Sequence, residues 1–384
     1  MVRVAPDRTE RDHLTVGGLP GRRWWSIRRA LKIAITSTAI VYIVVLLAGS
    51  LFYRRLLYPA PTAFPSAVPA HARLLEAPTL DGAHLRALLY ESPPGAPIVV
   101  HFHGNGETMG DDLWIADELH RRGLGVALVE YRGYGLSRDE PSPTESGLYA
   151  DAAAALDALE SAGYGRERVV LWGQSLGSGV AAEMALRGRA GALVLVSPYT
   201  SIVDMARMIS PPGVPVDLIV RDRYDTLSKA SRIAIPALVV HGDADGFIPH
   251  AMGERVVKAL PHATLYTVQG GHHGDVVAVD AAGVFEAVTK LAQDLVPPLF
   301  HCFRWVHLDQ FSTDCYRSQA TCLAERTSMI QGARDPAACE PQSSASCTML
   351  PGGQERCFGD AGRCAHYRAF VAGHGIKTTD CQER

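Results

Sequence analysis

A serine between glycines, a pair of adjacent histidines and two loop aspartates are the residues of this 384-residue chain whose types could make a hydroxyl react. Ser175 lies in Gly173-Gln174-Ser175-Leu176-Gly177, after an apolar run and before a stretch of small residues. A serine hydroxyl is a weak nucleophile until an imidazole takes its proton and a carboxylate fixes that imidazole's tautomer. The segment "HGDADGFIP" (241–249) supplies Asp245, with Asp243 as its neighbouring competitor, and "GGHHGD" (270–275) supplies His272 and His273. Attack on a carbonyl also needs donors for the oxyanion. The N–H of Leu176, next after the serine, and that of Asn105 in "FHGNG" (102–106) are the candidates.

Such chemistry needs a rigid frame. "HLRALLY" (84–90) alternates like a half-buried strand. "IVVHF" (98–102), "GVALVE" (125–130), "VVLW" (169–172), "ALVLV" (192–196) and "ALVVH" (237–241) are continuous apolar runs, as in strands buried on both faces. Helical patterns separate them at 111–122, 145–162, 178–186 and 250–260, and an amphipathic pattern at 276–295 stops before Pro297-Pro298. Strands alternating with helices predict βαβ units, hence an α/β class with a doubly wound, mostly parallel sheet. Ser175 then sits on a sharp strand-to-helix turn, where flanking glycines let strand and helix pass closely. The stretch 197–232 breaks the alternation and predicts a small lid. "YRGYG" (131–135) predicts a tight turn, with Arg132 in a structural hydrogen-bond network. His101 and His103 have no matching acid cluster, so no metal site is expected, and no cofactor is required.

With "EYRGYGLS" (130–137) added, these motifs resemble the α/β-hydrolase family from about Tyr58 to Leu295. The resemblance is closest to its membrane-associated, short-lid branch, which includes depalmitoylase-like and serine-aminopeptidase-like members. It implies Ser175 as nucleophile, Asp245 as orienting acid, His273 as base, and Asn105 and Leu176 as oxyanion donors. His273 is preferred to His272 because relatives read Gly-x-x-His-x-Asp, which aligns His273 and Asp275. Glu130 stands where relatives usually have aspartate, a change not expected to touch the chemistry. The activity implied is hydrolysis of carboxylic esters or thioesters through an acyl-enzyme. Amide or peptide hydrolysis on the same triad is the alternative, and a non-catalytic envelope-binding protein is the rival class.

The flanks of this domain bear on where it works. Residues 33–53, "IAITSTAIVYIVVLLAGSLFY", carry no charge and are long enough to cross a bilayer. Arg22, Arg23, Arg28, Arg29 and Lys32 precede them, while Arg54 and Arg55 follow. The positive-inside bias therefore predicts a cytoplasmic segment 1–32, an anchor at 33–53 and an exported remainder, periplasmic or extracellular. A cleaved signal peptide and a twin-arginine signal are alternatives that export the same residues. A Pro-rich spacer (54–73) leads to the hydrolase domain (74–298).

The tail (299–384) holds all eight cysteines: Cys302, Cys315, Cys322, Cys339, Cys347, Cys357, Cys364 and Cys381. Cys315-x6-Cys322-x16-Cys339 is matched by Cys357-x6-Cys364-x16-Cys381, which predicts two tandem four-cysteine units. Units so small need staples, so disulfides are expected, with three pairings open per unit. No C-x2–4-C knuckle argues for zinc. Disulfides and export agree from separate residues. A net charge of −3 gives no case for nucleic acid. The expected partners are an acylated or small-molecule substrate, the bilayer, and a cell-envelope ligand for the tail.

Overall fold

The computed structural model describes residues 21–383, except 65–67, 94, 296–299, 308–309, 317–318, 332–338, 343–344, 350–354, 360 and 374–375. The expected cytoplasmic residues 1–20 and the Pro297-Pro298 helix stop lie outside them. The chain divides into two units, residues 1–53 and 54–384. Helix α1 (Gly21–Leu57) contains the expected anchor, and its apolar part, Ile27–Leu57, is long enough to cross a membrane.

The continuous apolar runs become the middle of an eight-stranded sheet. Its strands are β1 (Arg73–Pro78), β2 (His84–Tyr90), β3 (Ile98–Phe102), β4 (Gly125–Val129), β5 (Val169–Gln174), β6 (Ala192–Val196), β7 (Ala237–Gly242) and β8 (Ala263–Val268). They lie in the order β1-β2-β4-β3-β5-β6-β7-β8. β1 and β2 join antiparallel, and every pair from β4 through β8 is parallel. All residues of β3 to β7 are buried, which is why their sequences do not alternate. β1 and β8 close the two edges. Being partly exposed, they lack a continuous apolar run, and the sequence reading does not find them.

Helices cover both faces. α3 (Glu145–Ser161), α4 (Leu176–Leu186) and α8 (His250–Ala259) contribute to one core, and α2 (Leu113–Arg121) and α10 (Ala281–Gln293) to the other. Thr144 caps α3 by accepting the Gly147 N–H at 3.0 Å. The expected final helix, 276–295, is two helices: α9 (Val276–Val279) stops short of α10. The chain breaks at Asp280, whose side chain caps the new helix by accepting the Gly283 N–H. The expected lid region carries three short helices, α5 (Ile202–Ile209), α6 (Val216–Ile219) and α7 (Thr226–Ala230).

The tail folds as a disulfide-bonded module. β9 (Phe300–His307) and β10 (Gln310–Tyr316) form a hairpin, followed by α11 (Gln319–Gln331) and β11 (Glu340–Gln342). Then come β12 (Ser346–Met349), β13 (Glu355–Phe358), α12 (Ala361–Gly373) and β14 (Gln382–Glu383). The six strands form one sheet in the order β11-β9-β10-β13-β12-β14. Cys302–Cys315 and Cys347–Cys357 each join directly opposed residues of a hairpin. Cys322–Cys339 and Cys364–Cys381 tie each helix to the chain that follows it. The pairing left open by spacing is thus decided by which cysteines face each other.

Candidate active site

β5 ends at Gln174 and α4 begins at Leu176, so a single residue must turn the chain. Ser175 does so at φ 49° and ψ −115°, a backbone conformation that L residues rarely adopt. The turn depends on its glycines. A Cβ on Gly173 would collide with the Gly177 carbonyl, and one on Gly177 with the Phe102 carbonyl at the end of β3. The Ser175 N–H donates to Val196 O at 2.9 Å, which ties the strained residue to β6. Its hydroxyl is left at the carboxyl end of the sheet, where the loops after β3, β7 and β8 also gather.

The loop after β8 brings His273 Nε2 to 3.0 Å from Ser175 Oγ. The loop after β7 brings Asp245 Oδ2 to 2.9 Å from His273 Nδ1. The other oxygen of Asp245 accepts the N–H groups of Phe247 (2.9 Å) and Ile248 (2.8 Å). Burial alone would raise this carboxyl. The hydrogen bonds from His241, His273 and Ile248 outweigh burial and hold it well below the usual carboxylate range. Asp245 is therefore a carboxylate at any pH of interest, and its Oδ2 faces two imidazoles, that of His273 at 2.9 Å and that of His241 at 3.4 Å.

The competing residues lie elsewhere. His272 is exposed, and its Nδ1 sits 2.9 Å from Ala244 O. Asp243 accepts the Gly270 N–H at 2.6 Å and helps shape the histidine loop.

The N–H groups of Asn105 and Leu176 donate to no other group among the described residues. Their loops are pinned through the carbonyls instead. Tyr134 donates to Asn105 O, Tyr199 to Leu176 O and Tyr131 to His103 O, each at 3.1 Å. Burial pushes all three phenols up, so they remain donors. The Asn105 side chain donates to Leu57 O at 3.3 Å, and Glu107 Oε2 accepts the Gly104 N–H at 2.7 Å.

Behind this loop lie two buried histidine–carboxylate pairs that the sequence reading does not anticipate. His103 Nε2 is 3.1 Å from Glu130 Oε1, and His101 Nδ1 is 3.5 Å from Asp112 Oδ2. Burial drops His101 to about 3, so it is neutral. Burial, then the charge of Glu107, pushes Asp112 up to about 8. Each histidine thus has its acid. Among the described residues, however, no group of three metal-capable side chains converges. Arg132 makes the structural network expected of it, donating to Asp151 and Asp81 at 2.7 Å each. Tyr199, Gln174 and Glu107 were also missed; only the spacing of Glu107 three residues after Gly104 hinted at its contact with that N–H.

Comparison with known proteins agrees with this architecture. Residues 93–215 match the family described as serine aminopeptidase, S33. An uncharacterised protein of Mycobacterium tuberculosis is 32% identical over 249 residues, covering 62% of this chain and 86% of the relative. The bem46 protein of Schizosaccharomyces pombe is 30% identical over 229 residues, covering 54% and 75%. Among solved structures, the Pyrococcus furiosus esterase Pf2001 superposes with a TM-score of 0.53 at 17% identity, covering 62% of this chain and 96% of the esterase. A 2,6-dihydroxy-pseudo-oxynicotine hydrolase gives 0.50 at 20%, covering 59% and 68%. At these identities the structural likeness shows the fold.

Proposed function

We propose the following reading for a chain that belongs to the serine aminopeptidase S33 family of α/β-hydrolases: it cleaves acyl bonds through Ser175, His273 and Asp245. The observation that carries the reading is the unbroken series from Asp245 Oδ2 through His273 to Ser175 Oγ, with steps of 2.9 and 3.0 Å. His273 Nε2 takes the hydroxyl proton as Oγ bonds to the carbonyl carbon, and Asp245 holds the imidazolium. The N–H groups of Leu176 and Asn105 hold the oxyanion. Collapse breaks the bond to the leaving group, which receives the proton from His273. Water then repeats the cycle: His273 takes its proton, the hydroxide opens the acyl-enzyme, and the proton returns to Ser175.

The family description favours an amide or peptide bond, for which protonation of the leaving amine by His273 is essential. Esters and thioesters are the second reading. They are favoured by the exposed Phe247 ring, 5.0 Å from the His273 ring, which offers apolar surface to an acyl chain. This is also the substrate class of the depalmitoylase-like branch. We further place the domain outside the cell membrane, with the tail free to hold an envelope ligand. Basic residues before the apolar helix and the paired cysteines of the tail support that topology.

The test is covalent labelling by a fluorophosphonate, comparing wild type with Ser175→Ala, His273→Ala and His272→Ala. Label is expected in wild type and His272→Ala only. Label that survives in Ser175→Ala would sink the assignment. For topology, a phosphatase fused after Ala60 is expected to be active, and an inactive fusion would reverse the orientation.

A further inference from the structure

Residues 54–61, which follow the apolar run, belong to the same unit as the hydrolase domain. Tyr58 is buried in the core to which α4 contributes, and Leu57 and Ala60 pack against that core. Ala60 sits at φ 46°, in the left-handed region that an alanine enters only at a cost. A simple link needs neither the burial nor the strain.

The segment is fastened to two parts of the domain. On the lid side, Arg54 donates through Nε to Asp222 Oδ2 at 2.7 Å and through Nη2 to Oδ1 at 3.2 Å. The Tyr58 hydroxyl lies 2.9 Å from that of Tyr224. Asp222 and Tyr224 join α6 to α7, and Asp222 also accepts the Glu145 N–H at the start of α3, at 3.1 Å. On the side of the oxyanion loop, Leu57 O accepts Asn105 Nδ2 at 3.3 Å, and Pro61 O accepts the Gly135 N–H at 2.9 Å. Tyr134, the neighbour of Gly135, meets the Ala60 backbone and donates to Asn105 O at 3.1 Å. Asn105 is thus held by its side chain and by its carbonyl, and both holds lead to residues 57–61.

We propose that residues 54–61 are a positioning segment for the oxyanion loop, setting the direction of the Asn105 N–H through Leu57 O and Tyr134. The inference rests on the reading of Ser175 as nucleophile and of Asn105 as oxyanion donor. The Asn105 N–H itself donates to no other described group, so its direction is fixed only by what holds the rest of the residue. An oxyanion donor works by being ordered before the charge develops, and a loose one must be ordered during the reaction. Catalysis then depends on the chain just beyond the apolar run. A form cut at the small residues 48–50 would keep the segment, whereas a form beginning after Pro61 would lack it.

The full chain in detergent is labelled over a range of fluorophosphonate concentrations, which separates reversible affinity (KI) from the covalent rate (kinact). In the covalent step Ser175 Oγ bonds to phosphorus, fluoride leaves, the serine proton passes to His273, and the phosphoryl oxygen takes the oxyanion position. Asn105→Ala removes the side-chain amide and keeps the backbone N–H. The pair Arg54→Gln and Tyr58→Phe loosens the segment without emptying the core. Each of these two changes is expected to lower kinact about fivefold, the worth of an ordinary hydrogen bond, with KI within about twofold of wild type. Because kinact is read from the molecules that react, loss of folded protein does not enter it. Combining all three substitutions should slow kinact less than about tenfold, where independent effects would multiply to about 25-fold. A kinact within about twofold of wild type in either variant, a loss carried by KI, or the full product in the combination would each overturn the inference. Absence of label in wild type refutes the nucleophile itself, and the role of the segment with it.

Discussion

Replacing Asp245 with asparagine separates geometry from proton chemistry in this site. Asp245 Oδ1 accepts two backbone N–H groups, from Phe247 and Ile248. The asparagine carbonyl must take that position, because an NH2 group there would face two donors. The amide nitrogen is therefore forced toward His273 Nδ1, 2.9 Å away, and toward His241 Nε2, 3.4 Å away. His273 then has to accept at Nδ1, so its proton moves to Nε2 and points at Ser175. The base is lost while the atoms barely move. The same exchange in a Ser-His-Asp protease lowers turnover about 10⁴-fold, and a loss of that order is expected here. The new clash with His241, whose Nε2 lies 3.0 Å from Ile248 O, should cost about 1–3 kcal/mol of stability, too little to unfold the domain. The assay is the rate of fluorophosphonate labelling at neutral pH, with circular dichroism to verify the fold. Asp243→Asn, which touches only the Gly270 N–H among these partners, should stay within a few-fold of wild type. A folded Asp245→Asn enzyme within tenfold of wild type would refute the tautomer argument.

Other consequences follow from the same geometry. Asp112 sits at about 8 in the fold against about 4 for a free aspartate. Between those values the unfolded chain is ionised and the folded one protonated, so this residue makes stability fall as pH rises from about 4 to 8. Asp112→Asn should leave the melting temperature unchanged near pH 4 and raise it near pH 8, by an amount worth a few kcal/mol; an equal shift at both pH values would contradict this. Gly177→Ala puts a Cβ into the Phe102 carbonyl and should yield little folded protein, whereas Gly274→Ala, with open space around it, should express normally. Native protein should take up no alkylating reagent at cysteine and eight equivalents after denaturation and reduction, as mass spectrometry would show.

The sequence by itself determined what depends on short-range pattern. Continuous apolar runs are forced on strands buried on both faces, so β3 to β7 were legible. The glycines around Ser175 are forced by a turn in which any Cβ meets backbone, so the elbow was legible as well. A charge-free run of bilayer length and cysteines confined to the tail are likewise one-dimensional facts. Of the adjacent His272 and His273, the family resemblance already favours the second, but only the tertiary structure shows which ring lies within reach of Ser175 across the sheet. It alone paired the cysteines, split the last helix at Asp280 and found the edge strands β1 and β8, whose half-exposed residues carry no clear period. It also gathered Glu107, Asp112 and Gln174 around one cleft. They carry no signal in the sequence, because residues far apart along the chain meet only in the fold, as Gln174 does in donating to Glu107.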